Sequence, residues 1–143
     1  MRILYITNSR LPTEKAHGLQ VMKMCEALGK AGLRVTLILP NRTNTIKIDP
    51  FEYWGIERVF NIEKIFSLNF MDYCFLPKRL TFIFDSFVFS IASILYIKKA
   101  KTDYIYTRDR DIAFLSLFTK TPIIFEVHFI PRFLFKYNLF LKR

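Results

Sequence analysis

The chain has 143 residues, the length of one domain, and 52% of them are hydrophobic, which suffices for a core and excludes a disordered tail. Its 22 Lys and Arg residues outnumber its 12 Asp and Glu residues, giving a formal net charge of +10. That charge attracts phosphate-bearing partners: nucleic acid, an anionic membrane surface or a phosphorylated small molecule. The two cysteines, Cys25 and Cys74, fit no metal-ligand spacing, which argues against zinc, iron–sulfur and disulfide scaffolds.

The chain begins with a short apolar run. Residues 2–7 are rich in β-branched and aromatic side chains, which predicts a buried strand. The run reaches the polar Asn8 too early for the apolar core of a signal peptide. We therefore expect a cytoplasmic chain with free thiols.

The next regular segment has the pattern of a helix. Residues 18–31 are mostly apolar, and Gly32 is placed to end a helix there. One narrow polar stripe at helical spacing consists of Gln20, Lys23, Glu26 and Lys30. This pattern predicts a helix that is buried on most sides and leads into a second strand at residues 34–39.

The remaining chain continues to alternate strands with helices. We predict short strands at 45–48 and 59–62, a helix at 80–97, a strand at 103–107, a short helix at 111–119 and a strand at 122–127. This alternation is typical of an α/β fold, namely a Rossmann-like open, mainly parallel sheet with helices on both faces.

The predicted helix at 80–97 has about the 18-residue length at which a membrane span becomes a candidate. A stripe of small residues, Ser86, Ser90 and Ser93, would suit packing between membrane helices. However, Asp85 lies inside the run, and an acidic group in hydrocarbon costs roughly 2.5–3.5 kcal/mol. We therefore favour a helix that covers one face of the sheet, with the serines allowing close approach, over a membrane span.

The loop after the first strand is where open α/β sheets bind ligands. It carries Arg10, Lys15 and His17, and Gly18 stands at the start of the helix. A single glycine matches neither the dinucleotide fingerprint nor a Walker loop. A helix N-terminus with nearby cations still suits a phosphate group. Alternatively, Gly18 only relieves crowding and the cations are solvated.

Three separated motifs resemble the N-terminal domain of family 4 glycosyltransferases, in particular a bacterial branch of that family. They are the run PTEKAHGLQVMKMCEAL at 12–28 with its following VTLILP strand, the YTRD at 106–109 and the EVHFIP at 126–131. They occur in the family's order, and the resemblance spans nearly the whole chain but only the first of the family's two domains.

The resemblance implies a GT-B fold, a retaining reaction, a nucleotide-sugar donor and no cofactor or obligatory metal. Its first loop, here His17 and Gly18, would approach the donor phosphates, and His128 would reach the donor sugar as the catalytic residue. The residues assigned to the acceptor or the cleft are Arg10, Lys15, Arg108 and Glu126. From the residues alone, the favoured interpretation of His128 is an edge histidine with satisfied hydrogen bonds, and that of Arg108 and Glu126 is a structural ion pair.

The sequence departs from the family's pattern in one respect. The family holds its donor nucleotide in a C-terminal domain with two glutamates two helical turns apart, and this chain has no glutamate pair at that spacing. We therefore expect an acceptor-side domain at 1–131 and, at 132–143, the start of a helix leading towards an absent C-terminal domain. Such a chain would be inactive alone, as either a truncated product or one half of a split enzyme whose other domain is a separate chain.

The predicted function is thus that of the N-terminal domain of a retaining glycosyltransferase. It would take part in transferring a sugar from a nucleotide-sugar donor to an envelope glycan or a lipid-linked acceptor. This would occur on the cytoplasmic face of an anionic membrane. The alternative is a non-catalytic basic α/β module that binds an anionic partner. Nucleic acid is the less favoured partner because no RNP, helix-turn-helix or zinc-finger signature is present.

Overall fold

The computed structural model describes residues 1–68 and 77–127. The helix predicted at 132–143 and the catalytic assignment of His128 lie outside the described residues. The elements are β1 (Arg2–Ile6), α1 (Ala16–Lys30), β2 (Arg34–Pro40), α2 (Pro50–Trp54), β3 (Asn61–Ile65), α3 (Lys78–Lys99), β4 (Tyr104–Thr107), α4 (Arg110–Ser116) and β5 (Ile123–Phe125).

The five strands form one parallel sheet in the order β3-β2-β1-β4-β5. In the centre of the sheet, Tyr5 of β1 lies opposite Leu37 of β2 on one side and Tyr106 of β4 on the other. This topology confirms the predicted Rossmann-like α/β fold. Because β1 is central and buried on both faces, its short apolar run needs no polar alternation.

Helices cover both faces of the sheet, and each face has its own core. On the first face, Tyr5 and Leu37 pack with Met22 and Cys25 of α1 and with Phe51 of α2. On the second face, side chains of β1, β2 and β4 pack with side chains of α3 and α4; this core contains Leu4, Ile6, Ile38, Phe89, Ile97, Ile105 and Ile112. Alternate strand residues feed the two cores, as the pleat of a strand requires.

The apolar helix at 80–97 is α3, and it lies against the sheet. Its serine stripe is buried: Ser86, Ser90 and Ser93 are at most 4% exposed. This agrees with the serines allowing close approach to the sheet. By length and composition, Arg79–Lys99 is also the one stretch in the described part of the chain that could cross a membrane, and only 39% of its most apolar window is buried.

Two predictions for residues 41–65 were wrong in detail. Residues 45–48 form no strand, because the side chain of Asn44 accepts a hydrogen bond from the Ile46 N–H (3.2 Å) and turns the backbone locally. The strand predicted at 59–62 is β3, shifted towards the C-terminus. The short helix α2 was not predicted; the Asp49 carboxylate caps it by accepting from the Phe51 N–H (2.9 Å).

Helix α1 is less enclosed than the sequence predicts. Leu19 is 40% exposed, whereas Glu26 of the polar stripe is only 7% exposed. Glu26 accepts hydrogen bonds from Lys23 (2.8 Å) and from the backbone N–H of Glu57 (3.0 Å), and Lys30 lies 3.3 Å away. The stripe therefore anchors the loop between α2 and β3 instead of only facing solvent.

Candidate functional site

The strand order places a crevice between the carboxyl ends of β1 and β4. From β1 the chain proceeds to β2 and β3 on one side, and from β4 it proceeds to β5 on the other. Such a switch point is where open α/β sheets bind ligands, because the loops leave in opposite directions there. The two segments that meet at this crevice are the β1–α1 loop, which begins at Thr7, and the β4–α4 turn at Arg108 and Asp109.

Asp109 holds the two sides of the crevice together. Its carboxylate accepts a hydrogen bond from the backbone N–H of Asn8 (2.6 Å). The Asn8 side chain in turn donates to the hydroxyl of Ser86 on α3 (2.7 Å). Burial raises the pKa of Asp109, and the hydrogen bonds from Asn8 and Thr7 partly oppose that rise. The base of the crevice is therefore fixed by contacts between β1, β4 and α3.

Arg108 and Glu126 meet on the α1 side of the crevice. The Arg108 Nε lies 3.8 Å from a Glu126 carboxylate oxygen, and the Arg108 Nη1 donates to the side chain of Gln20 (3.1 Å). The same Glu126 oxygen accepts from the Tyr106 hydroxyl (2.9 Å). Burial, together with this bond to Glu126, raises the pKa of Tyr106 to about 12. Because β4 and β5 are adjacent parallel strands, Arg108 and Glu126, which follow them, meet at the same edge of the sheet. Both residues were predicted to shape the cleft.

The side chain of His17 experiences the positive charges of two other residues, Lys15 and Arg108. Its pKa is lowered, first by partial burial and then by the charges of Lys15 and Arg108, while Asp109 opposes that effect. Helix α1 begins beside it with no side-chain hydrogen bond at its N-cap, Lys15. His17, in the first turn of α1, therefore lies in a positive electrostatic environment to which Lys15, Arg108 and the helix dipole contribute. That arrangement can bind an anion and would favour a protonated His17 once an anion is bound.

Gly18 has a steric role in this loop. A side chain at this position would collide with the Thr13 methyl group and would lie 3.0 Å from Trp54 and 3.1 Å from Leu11. The Gly18 N–H already donates to the Lys15 carbonyl (3.0 Å). The structure thus gives a packing reason for this glycine, which was one of the two alternatives from the sequence.

Arg10 points away from the other site residues. Its Nη1 donates to the backbone carbonyl of Thr43 (3.3 Å), in the loop after β2. The structure therefore places Arg108 against Glu126 and leaves His17 under the electrostatic influence of Lys15 and Arg108, whereas Arg10 contacts the loop after β2.

Sequence reasoning missed Asn8, Gln20 and Asp109 as parts of the site. Gln20 stood in the helical polar stripe and was not connected to Arg108. Asn8 lies two residues after the end of β1, and Asp109 lies two residues after the end of β4. Their polar side chains at equivalent places after two strands were the available signal. Pairing them required the knowledge that β1 and β4 are neighbours.

Tyr5 lies beneath the site. Its side chain is fully buried, its ring stacks on Tyr106 with centroids 4.7 Å apart, and its hydroxyl has no hydrogen-bond partner among the described residues. Burial raises the pKa of this hydroxyl, and the nearby Glu126 adds to the effect. Tyr5 is therefore neutral at physiological pH and supports the Tyr106–Glu126 contact from below.

A second concave region lies at the opposite edge of the sheet. This groove of about 500 Å³ opens at the amino ends of the strands and is lined by four cationic side chains, those of Arg2, Arg34, Arg58 and Lys101. None of the predicted site residues lines it. Of the four, Arg58 is engaged in an ion pair with Asp49 (2.9 Å) and lies over the ring of Phe51.

The remaining observations concern metals and relatives. Within residues 1–68 and 77–127, no group of three or more His, Cys, Asp or Glu side chains could hold a metal ion. Comparison with known proteins gives no matching protein-family model, and no curated protein matches the chain. The resemblance to family 4 glycosyltransferases therefore rests on the three sequence motifs.

Proposed function

We propose that this chain is the acceptor-side, N-terminal domain of a retaining glycosyltransferase and that its switch-point crevice contacts the diphosphate of a nucleotide-sugar donor. The proposal is carried by the position of His17 in the first turn of α1, where the charges of Lys15 and Arg108 and the positive end of the helix act on it. Cations and helix N–H groups are what a leaving diphosphate needs for charge stabilisation.

The rest of the proposal follows from the family resemblance. His128 would reach the donor sugar, and Arg108 with Glu126 would shape the cleft near the acceptor, a glycan or a lipid-linked sugar. No cofactor or obligatory metal takes part in this proposal. A donor-binding domain, on the same or another chain, would complete the cleft, since placement of donor and acceptor across it is the main catalytic requirement.

Binding of inorganic pyrophosphate and uridine diphosphate tests the proposal. Calorimetry should detect weak binding, and NMR titration should show that either ligand raises the pKa of His17, because a bound anion favours imidazolium. Replacing Lys15→Gln or Arg108→Gln should weaken binding by about ten- to a hundredfold, since a charge-assisted hydrogen bond contributes about 1.5–3 kcal/mol. Lys15 is exposed, so its variant is not expected to disturb folding.

One observation favours the second candidate, a non-catalytic module that binds an anionic partner. The groove at the amino ends of the strands carries cationic side chains without involving the switch point. The double variant Arg2→Gln/Arg34→Gln therefore serves as the matched control in the same titration. If pyrophosphate binding is lost in that variant and kept in Lys15→Gln, the basic-module function replaces the transferase proposal.

A further inference from the structure

The outward side of α3 is apolar along its whole length. Large side chains at helical spacing, Leu80, Ile83, Phe87, Ile91 and Leu95, are between 42% and 56% exposed. Soluble domains rarely leave such a continuous stripe facing water. A surface helix of a soluble protein normally carries its polar residues on this side.

The inward side of the same helix is unusually polar. Its buried residues include Thr81, Asp85, Ser86, Ser90 and Ser93. Two of the serines satisfy their hydroxyls within the helix: Ser90 donates to the Ser86 carbonyl and Ser93 to the Phe89 carbonyl, both at 2.8 Å. The inward side of α3 therefore carries hydroxyls beside the core residues Phe89 and Ile97, whereas its outward side carries large apolar side chains. This distribution distinguishes it from an ordinary amphipathic helix, which turns its polar side to water.

Helix α4 extends the same surface. It packs beside α3 on the second face of the sheet, and its Ile112 enters the core that α3 shares. Phe114 on its outward side, and Leu117 and Phe118 directly after its end, are among the most exposed large apolar side chains described, at 63%, 69% and 72%. We call the outward sides of these two helices the α3/α4 apolar surface.

Basic residues border this surface. Exposed cations stand at both ends of α3, with Arg79 at its start and Lys98 and Lys99 at its end, and Lys120 follows α4. The one acidic residue of α3, Asp85, is buried. An apolar centre with a cationic border is complementary to an anionic bilayer, in which phosphates surround an acyl interior.

We propose that the α3/α4 apolar surface docks in the interfacial region of an anionic phospholipid bilayer, with α3 parallel to the membrane plane and not spanning it. Spanning would remove Phe89 and Ile97 from the core of the second face. A symmetric dimer through the same surface would bring the cationic ends of two α3 helices together, which costs free energy. The bilayer is therefore the occupant that the charges favour.

This proposal deepens the function proposed above, because a domain held at a bilayer would meet a lipid-linked acceptor. It can nevertheless be tested separately. Vesicle binding needs neither donor nor acceptor, so failure of pyrophosphate binding and failure of membrane docking are distinguishable results.

The test is sedimentation of the 143-residue chain with phosphatidylglycerol or phosphatidylcholine vesicles. The chain should bind the anionic vesicles and bind the neutral ones more weakly. The variant Phe87→Ser/Ile91→Ser should reduce binding to anionic vesicles at least about tenfold, since binding scales with buried apolar area. The variant Lys98→Gln/Lys99→Gln should reduce it about tenfold on anionic vesicles only.

Matched controls remove side chains of the same types from positions outside the α3/α4 apolar surface. Leu19→Ser/Ile48→Ser removes two exposed apolar side chains from other parts of the chain, and Lys47→Gln/Lys64→Gln removes two exposed lysines. Both should bind vesicles like the parent chain. Loss of binding in the controls, or no binding by the parent chain, overturns the proposal. A dimer in sedimentation velocity that Phe87→Ser/Ile91→Ser dissociates, without vesicle binding, would assign the surface to a second copy.

Discussion

The two faces of the sheet are covered by helices of opposite construction. On the first face, α1 turns apolar side chains such as Met22 and Cys25 inward and carries charged side chains outside. On the second face, α3 buries a line of serines and leaves a stripe of large apolar side chains outside. The same sheet therefore presents one side suited to water and one side suited to an apolar medium.

This difference shows that the helix face buried against a sheet need not be wholly apolar. The hydroxyls of Ser90 and Ser93 bond to carbonyls of their own helix, so they reach the sheet without unsatisfied donors. Phe89 and Ile97 share this inward side with the serines, so the inner side of α3 is mixed while its outer side is apolar.

The largest expected effect contrasts two neighbouring phenylalanines of α3. Phe89 is fully buried in the core of the second face, whereas Phe87 is 54% exposed. Phe89→Ala should lower the free energy of unfolding by about 3–5 kcal/mol through lost burial and cavity formation. Phe87→Ala should change it by no more than about 0.5 kcal/mol. Urea denaturation of both variants measures the difference, and equal losses would show that α3 is enclosed on both sides.

Much of this architecture follows from the sequence because strand and helix periods are local properties. β1, β2 and β4 were predicted within one or two residues, since each is a short β-branched or aromatic run between turn residues. Helix α2 was missed although Asp49, Pro50 and Gly55 form a start and stop signal around it. Its five residues are too few for a helical period to be recognised.

The site and the apolar surface were less predictable, because both depend on which elements are neighbours. The contact between Asn8 and Asp109 spans 101 residues of sequence and exists only because β1 pairs with β4. For α3, the serine stripe indicated correctly which side faces the sheet. That large apolar side chains stay exposed on the opposite side could not be predicted, because it depends on which elements pack there.

The second prediction concerns the packing of Gly18, in the first turn of α1, against the β1–α1 loop. Gly18→Ala would place a methyl group against Thr13, Trp54 and Leu11. Overpacking of this kind costs about 1–3 kcal/mol, which outweighs the gain of about 1 kcal/mol that alanine brings to a helix interior. Thermal or urea unfolding measures the loss. Thr13→Ser removes the methyl group in the tightest contact, so the double variant Thr13→Ser/Gly18→Ala should recover part of the lost stability. A Gly18→Ala variant that is as stable as the parent chain would mean that the glycine is not required for packing.

The smallest effect concerns the stabilising contribution of Glu26 on α1, which is present at neutral pH and lost in acid. Hydrogen bonds from Lys23, from the Glu57 N–H and from Lys30 hold the pKa of Glu26 at about 2, below its ordinary value of 4.5. A lowered folded-state pKa contributes stability above pH 4.5, and that contribution is lost as the pH falls from 4.5 towards 2. Glu26→Gln should therefore be less stable than the parent chain at pH 7, and the difference should disappear near pH 2.

Urea midpoints measured across this pH range test the prediction for Glu26, with Glu14→Gln as a control because Glu14 is exposed at the start of the same segment. The control should keep the parent's acid dependence. If Glu26→Gln also keeps it, the carboxylate does not anchor the loop before β3, and α1 has an ordinary solvated outer side. If the dependence flattens as expected, the charges of α1 stabilise the fold in water, which the apolar outer side of α3 cannot do.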